Sequence, residues 1–278
     1  MVQTVNDAPQ RSGFGDLVAR WRKTRRMSQL GLALEAEISS RHLSFIETGR
    51  ARPSRDMVLR LARALDVPLR ERNDLLLAAG FAPVLRETPL ESPEMKPMLT
   101  ALRIILGRQD PWGAVAMDRD WDIVMASHAS AALINGCLLP GTEPVEALAL
   151  TRAVRPNMIR MICHPDGFRQ LLLNWPEIVA ETLARVEGEV ARDPGAKRKA
   201  LLDEALAYPD VAAARAAAHR AGPPPLMIPV AMRGADGNRV ELMSTIATLG
   251  TAEDITLREL RIEAFYPVDP AVEQAARP

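Results

Sequence analysis

From Phe14 onward, apolar residues recur at three- and four-residue steps. Phe14, Leu17, Val18 and Trp21 fall on one face of a helix, and Arg20, Arg22, Lys23, Arg25 and Arg26 take its other face and its end. Ser28 is a suitable N-cap for a second helix, opened by Gln29 and packed through Leu32, Ala33 and Leu34. Glu35-Ala36-Glu37 leads into a turn that Ile38 anchors. Ser39 caps a third helix, Ser40 to Thr48, with Leu43 and Ile46 facing inward and Ser40, Arg41, His42, Ser44 and Phe45 facing outward. Gly49 ends it, a natural place for a left-handed residue. Ser54 caps a fourth helix packed through Val58, Leu59, Leu61, Ala62 and Leu65, and Pro68 begins a fifth that runs to Gly80. Five short helices make residues 13–82 an all-α domain, behind a polar tail at 1–12 expected to be disordered.

The pattern then breaks. Pro83, Pro89, Pro93 and Pro97 preclude a continuous helix, so 83–94 reads as a semi-rigid linker to a second domain spanning 95–268. Met95, Met98, Leu99, Leu102, Ile105 and Leu106 form a helical stripe. Trp112–Met117 and Trp121–Ala126 flank Asp118-Arg119-Asp120 as a β-hairpin. Helical spacing returns around Leu133, at Met158, Ile159 and Ile162 before Pro165, and from Phe168 to Trp175. Beyond Pro176 it continues from Ile178 to Val190, at Leu201–Leu206, and over the Ala-rich 211–221 until Gly222 and three prolines. Three strands close the domain: Leu226–Met232, then, after a turn at Gly234–Asn238, Arg239–Leu249, and last Leu257–Tyr266, where apolar residues alternate. The expected body is α+β with a sheet of about five strands, in the order of a PAS-like domain, followed by a tail at 269–278.

Charge sharpens the division. Residues 1–82 carry 14 Lys and Arg against 9 Asp and Glu, a net +5; the rest carry 21 against 26, a net −5. A basic head on an acidic body suits a head that meets nucleic acid. No apolar run approaches the ~20 residues of a membrane span, and the N-terminus lacks a signal-peptide core, so a cytoplasmic, non-membrane protein is expected. Cys137 and Cys163 have no metal spacing and form no disulfide framework, so a reduced pair is expected. Cys163 and His164 are adjacent and diverge by roughly 100° on a helix. Without a Gly-rich phosphate loop or a GxSxG elbow, the chain reads as no enzyme, with no metal and no cofactor.

The stretch SQLGLALEAEISSRHLSFIETGRARPS, Ser28 to Ser54, has the layout of a helix-turn-helix, which presents its second helix to the major groove of DNA. Residues 14–82, above all RHLSFIETGRARPSRDMVLRLARALDVPLRERNDLLLAAGFAP, resemble a helix-turn-helix domain of the XRE/Cro-repressor class. Members of that class usually carry glycine in the turn where this chain has Glu37. A positive φ there costs about 1 kcal/mol. Ser40, Arg41 and Ser44 are the candidates for base reading, Arg41 gripping guanine O6 and N7 with its fork, and Phe45 touching a thymine methyl. Arg22, Arg25, His42, Arg50 and Arg52 are candidates for phosphate contact, and Gln29 holds a phosphate at a helix N-terminus. Ser39 and Ser54 serve mainly as caps at the interface, and Glu47 is structural, tethering arginines or backbone. Such heads bind double-stranded DNA as homodimers on near-palindromic operators, and with no heptad repeat present the dimer contact is expected from the second domain.

The pieces PWGAVAMDRDWDIVMAS, NMIRMICHPDGFR, NWPE, LLDEALAYPDV and STIATLGTAEDITLRELRIEAFYP resemble the MmyB-like ligand-binding domain of bacterial regulators over 95–268. That resemblance implies a PAS-like fold and a small apolar ligand, with fatty acids as the leading class. Trp112, Met117, Met125, Met158, Met161, Ile162, Leu172 and Met243 can supply apolar walls. Asn157, Arg160, His164 and Asn174 are candidates for an acidic headgroup. Arg160, in an otherwise apolar helix, needs a partner if buried, either the ligand or an internal acid such as Glu263. The sequence thus describes a transcription regulator responsive to a small lipophilic ligand. The alternative is a regulator whose second domain only dimerises or docks a protein partner.

Overall fold

The computed structural model describes residues 13–151, 154–192, 195–220, 227–234, 237–250 and 254–272. The tail at 1–12, the break at 222–225, Leu226, the tip of the 234–238 turn and residues 273–278 lie outside the described residues. The chain forms two compact units that meet in sequence between Glu87 and Thr88.

The head contains α1 (Phe14–Thr24), α2 (Gln29–Glu35), α3 (Ser40–Glu47), α4 (Arg55–Ala64) and α5 (Leu69–Ala78). Phe14, Val18 and Trp21 pack against Leu32, Leu43, Ile46, Leu61 and Leu76 in one core. Leu34, expected among the packing positions, is instead 70% exposed. It lies on the outer face of α2, two residues beyond the buried Leu32.

All five helices end alike. A residue with positive φ follows each: Arg26 at 53°, Glu37 at 53°, Gly49 at 73°, Asp66 at 46° and Gly80 at 84°. The next N–H then reaches back to a carbonyl of the last turn, as from Ile38 to Ala33 at 2.8 Å and from Arg50 to Phe45 at 2.8 Å. This closure satisfies orphan carbonyls and tolerates glycine best. Glu37 therefore does carry the strained backbone that its position in the turn implied.

A Cβ on Gly15 would sit 2.4 Å from the Glu47 carbonyl oxygen and 2.6 Å from that of Ile46. Only glycine lets α1 come this close to the end of α3.

The segment 83–94 is no free spacer. Asn73 on α5 accepts from the N–H groups of Val84 and Leu85, both at 3.2 Å, and donates to the Leu85 carbonyl at 2.8 Å. Thr88 donates from its backbone N–H (3.1 Å) and its hydroxyl (2.6 Å) to the Asp254 carboxylate. Leu90 is buried with Met95, Leu99, Leu102 and Leu106. The body thus begins by Thr88, before the expected residue 95, because Leu90 belongs to its core.

The body is built on β1 (Ala114–Met117), β2 (Ile123–Ala126), β3 (Val230–Arg233), β4 (Arg239–Thr248) and β5 (Arg261–Pro267), in the order β2-β1-β5-β4-β3. Neighbours are antiparallel; Val115 faces both Ala126 and Glu263, and Ser244 faces Phe265. This is the five-stranded PAS-like arrangement. Ala114, Ala116, Val124, Met125, Ile262 and Ala264 point to one side, onto α6 (Lys96–Gly107). Val115, Met117 and Ile123 point to the other. There α7 (His128–Gly136), α8 (Met158–Cys163), α9 (Trp175–Arg192), α10 (Ala196–Ala207) and α11 (Val211–Arg220) complete the second core. Covered on both sides, β1 and β2 are apolar at every position.

Two elements differ from the sequence reading. Leu257–Glu259, expected as the start of a strand, belongs to α12 (Ile255–Glu259), with the strand beginning at Arg261. Asp254 caps α12 by accepting from the Leu257 N–H at 3.4 Å, and Ile255 and Leu260 are buried. Pro176 does not separate two patterns either. It is the second residue of α9, where a proline's missing N–H has no intrahelical partner to lose.

Candidate functional site

In the head, three serines set the helix starts. Ser28 accepts from the Gly31 N–H (2.9 Å), Ser39 from His42 (3.1 Å) and Ser54 from Met57 (3.2 Å). The cap on Ser39 fixes the first turn of α3. It leaves Ser40 and Arg41 exposed, and His42, Ser44 and Phe45 half-buried, over the buried Leu43 and Ile46. The Arg41 guanidinium lies 5.4 Å from the Phe45 ring centroid, so the two side chains form one outward surface. Arg50 and Arg52 are exposed beyond the end of α3.

Two arginines of the sequence reading are taken by the fold. Arg22 donates from Nε and Nη2 to Glu47 and from Nη1 to the Met27 carbonyl at 3.0 Å. Its side chain is only 13% exposed. Arg25 donates to the carbonyls of Leu65 (3.0 Å) and Asp66 (2.7 Å) at the end of α4, and its guanidinium lies 5.2 Å from the Trp21 ring. Both guanidinium groups are thus oriented by partners within the head, while Lys23 and Thr24 take the exposed side of the last turn of α1. Gln29 is also oriented from within, donating to Glu47 at 2.7 Å. Burial alone would raise the Glu47 carboxyl pKa. The hydrogen bonds from Arg22 and Gln29 and the charges of Arg22 and Lys23 outweigh it and hold the carboxyl below the usual range.

In the body, a cavity of about 600 Å³ opens between the sheet and the helices, within the ~300–1,000 Å³ common for small-molecule sites. The residues facing it follow element periodicity. Ser130, Leu133 and Ile134 come from one face of α7, Met158 and Ile162 from α8, and Ile178, Glu181, Thr182 and Arg185 from one stripe of α9. The sheet contributes alternate residues: Val230 and Met232, Leu242 and Ser244, Glu263 and Phe265. Trp112 and Trp121 add aromatic wall. Trp121 is held rigidly: its Nε1 donates to Glu189 at 3.1 Å, and Arg261, bound to Glu189 at 2.6 Å, lies 4.8 Å from its ring centroid.

Of the twelve candidates from sequence, Trp112, Met158, Ile162 and Leu172 line this cavity, and the others do not. Met117 and Met161 are sealed in the core on the helix side. Met125 points to the opposite face of the sheet, onto α6. Met243 is exposed, one residue out of phase with Leu242 and Ser244. Asn157 caps α8 and donates to the Asp120 carbonyl and the Asp122 carboxylate, both at 2.8 Å. Asn174 clasps β3 through the Pro229 carbonyl (2.8 Å) and the Ala231 N–H (3.0 Å). His164 accepts from the Asp166 N–H and stacks edge-on against Tyr208. Arg160 does have an internal acid, but it is Glu204, bound through two hydrogen bonds of 2.8 Å, rather than Glu263.

Polar side chains that do reach the cavity include Ser244 and Glu263 on the sheet and Glu181, Thr182 and Arg185 on α9, none of them among the twelve candidates. Their signal was present as polar positions inside otherwise core-facing stripes. Ser244 hydrogen-bonds Glu263, and burial pushes the Glu263 carboxyl above the usual carboxylate range despite the nearby Arg185 and Arg261. Cys163 is buried and its thiol is pushed up to about 12 by desolvation. Burial thus keeps it in the thiol form, the less reactive one.

Residues 99–277 match the family described as the MmyB-like transcription regulator ligand binding domain, and residues 18–72 match the helix-turn-helix family. Both are domains of transcription regulators and not of an enzyme family. No curated protein matches the chain. No helix among the described residues is long and apolar enough to cross a membrane.

Proposed function

This chain belongs to the MmyB-like transcription regulator family and is a DNA-binding regulator, and we propose that its body responds to a small lipophilic ligand, with fatty acids the leading class. The observation that carries this reading is the cavity. Its walls are mostly aliphatic and aromatic, and most of its few polar side chains, Ser244, Glu263, Glu181, Thr182 and Arg185, lie on β4, β5 and α9. An elongated amphiphile satisfies such a site with its tail on Met158, Ile162 and Leu172 and its polar end near Ser244 and Glu263.

On the DNA side, Ser40, Arg41 and Ser44 read base edges, and Arg50 and Arg52 hold the backbone. The functional unit is a homodimer on a near-palindromic operator, with half-sites about one helical turn, ~34 Å, apart. Ligand acts by binding one of two states of the protein better than the other. Mass spectrometry of an organic extract of the purified protein tests the sensing role. A bound acyl species supports it. A body that carries none, and whose melting ignores added fatty acids, would sink it in favour of a domain that only dimerises or docks a partner.

A further inference from the structure

The cavity contains its charges in balance before any ligand arrives. Arg185 and Arg233 line it, and so do Glu181 and Glu263. Arg185 is already engaged: it lies 3.4 Å from Glu181 one turn away and 5.9 Å from the Trp121 ring centroid. Arg233 ends β3 and is exposed at the rim. Arg233 lies opposite Arg239 at the start of β4, away from Ser244, so among the described lining residues the middle of the sheet floor brings no cation of its own to an incoming anion. What it offers is a carboxyl and a hydroxyl, Glu263 and Ser244, on adjacent strands and the same face.

We propose that Glu263, set beside Ser244 and facing Glu181 and Arg185, is the group that determines which polar end the cavity accepts: one that is uncharged and donates a hydrogen bond, over one with a fixed negative charge. This rests on the lipophile reading above and narrows it. An alcohol, an amide or an undissociated acid can donate to the Glu263 carboxyl, whose other hydrogen bond comes from Ser244. A fixed anion would lie against Glu263 with like charge, which weakens its binding at a desolvated contact. A fatty acid enters this class only with a proton, shared between its own carboxyl and that of Glu263, as two carboxyl groups in contact cannot both ionise. The groups facing Glu263 are Glu181 and Arg185 from α9, Ser244 from β4 and Arg261 from its own strand. The raised carboxyl pKa of Glu263 agrees with a site that prefers the neutral form.

The test uses the full chain and three tail-matched probes below their micellar range: 1-decanol, decanoic acid and 1-decanesulfonate. At neutral pH, 1-decanol is expected to bind at least about tenfold more tightly than 1-decanesulfonate. Glu263→Gln keeps the shape and removes the charge, and is expected to bring the two within about threefold, chiefly by strengthening the sulfonate. Calorimetry of the unmutated chain in buffers of different ionisation enthalpy should show uptake of about one proton per decanoic acid bound from neutral solution, a readout that needs no variant to fold. Equal binding of 1-decanol and 1-decanesulfonate, an unchanged ratio in Glu263→Gln, or decanoate binding without proton uptake overturns the inference and leaves the lipophile reading standing. Failure of all three probes to bind overturns both.

Discussion

Glu47, at the end of α3, holds Arg22 of α1 through two hydrogen bonds, from Nε at 2.7 Å and from Nη2 at 3.0 Å. The same carboxylate receives Gln29, the first residue of α2, at 2.7 Å. One acid therefore sets the three helices of the DNA-reading unit against one another, and Gly15 provides the closeness that this needs. The side chains are 13% and 6% exposed, so removing one partner leaves the other charge uncompensated. Glu47→Ala should destabilise the head by about 3 kcal/mol, read by denaturant unfolding. The pH dependence follows from the lowered Glu47 pKa. Its contribution is present above the unfolded carboxylate value of about 4.3 and is lost as pH falls through the folded value. Acid titration of the Glu47→Ala head should accordingly show a shallower loss of stability than that of the unmutated chain.

Arg41 and Arg52 should fail in different ways. Arg41 is exposed on the first turn of α3 beside Phe45, where a planar fork can reach a guanine edge. Arg41→Ala should cost about 1–3 kcal/mol and relax preference at one base pair. Arg52→Ala should weaken all sequences together and flatten the salt dependence by about one ion. A DNA-selection experiment on both variants separates the roles. A uniform loss for Arg41→Ala would remove it from base reading.

Glu37 is strained, with φ at 53°, in the turn that joins α2 to α3. Glu37→Gly relieves about 1–2 kcal/mol of left-handed strain against about 0.5–1 kcal/mol of added chain entropy. The net expectation is a gain of ~0.5–1 kcal/mol in urea unfolding of the head. A loss of stability would mean that the glutamate side chain contributes more than its backbone costs.

The head was legible because each of its signals is local. Ser28, Ser39 and Ser54 cap the next turn of their own chain, and Leu43 and Ile46 declare their face by spacing alone. The roles of Arg22 and Arg25 were not legible, since their partners are 25 and 40 residues away in sequence. In the body, apolar character showed that Met117, Met125 and Met161 are inside, but not inside which of two cores. The sheet separates Met125 from Met117, and strand phase, which a one-residue offset inverts, separates Met243 from the cavity face. Strand phase likewise hides Ser244, and Glu263 reads from sequence only as an acid for Arg160. A polar residue in phase with the cavity-lining Leu242 or Phe265 can mark a cavity rather than a solvent face.

Arg160 and Thr182 provide the contrast that locates the ligand. Arg160 is bound to Glu204, with side chains 43% and 38% exposed, outside the cavity lining. Arg160→Ala should therefore cost under about 1 kcal/mol of stability and leave ligand affinity unchanged. Thr182 lies on the α9 stripe that faces the cavity, between Ile178 and Arg185. Thr182→Trp should fill the space at a cost of about 1–3 kcal/mol and abolish ligand binding. A ligand at a hundred times its Kd stabilises the folded state by about 2.7 kcal/mol, so thermal melts with and without decanoic acid distinguish the variants. The unmutated chain and Arg160→Ala should shift upward together, while Thr182→Trp should not shift. The reverse pattern, a shift lost in Arg160→Ala and kept in Thr182→Trp, would move the ligand out of the cavity and onto the α8–α10 surface where Arg160 meets Glu204.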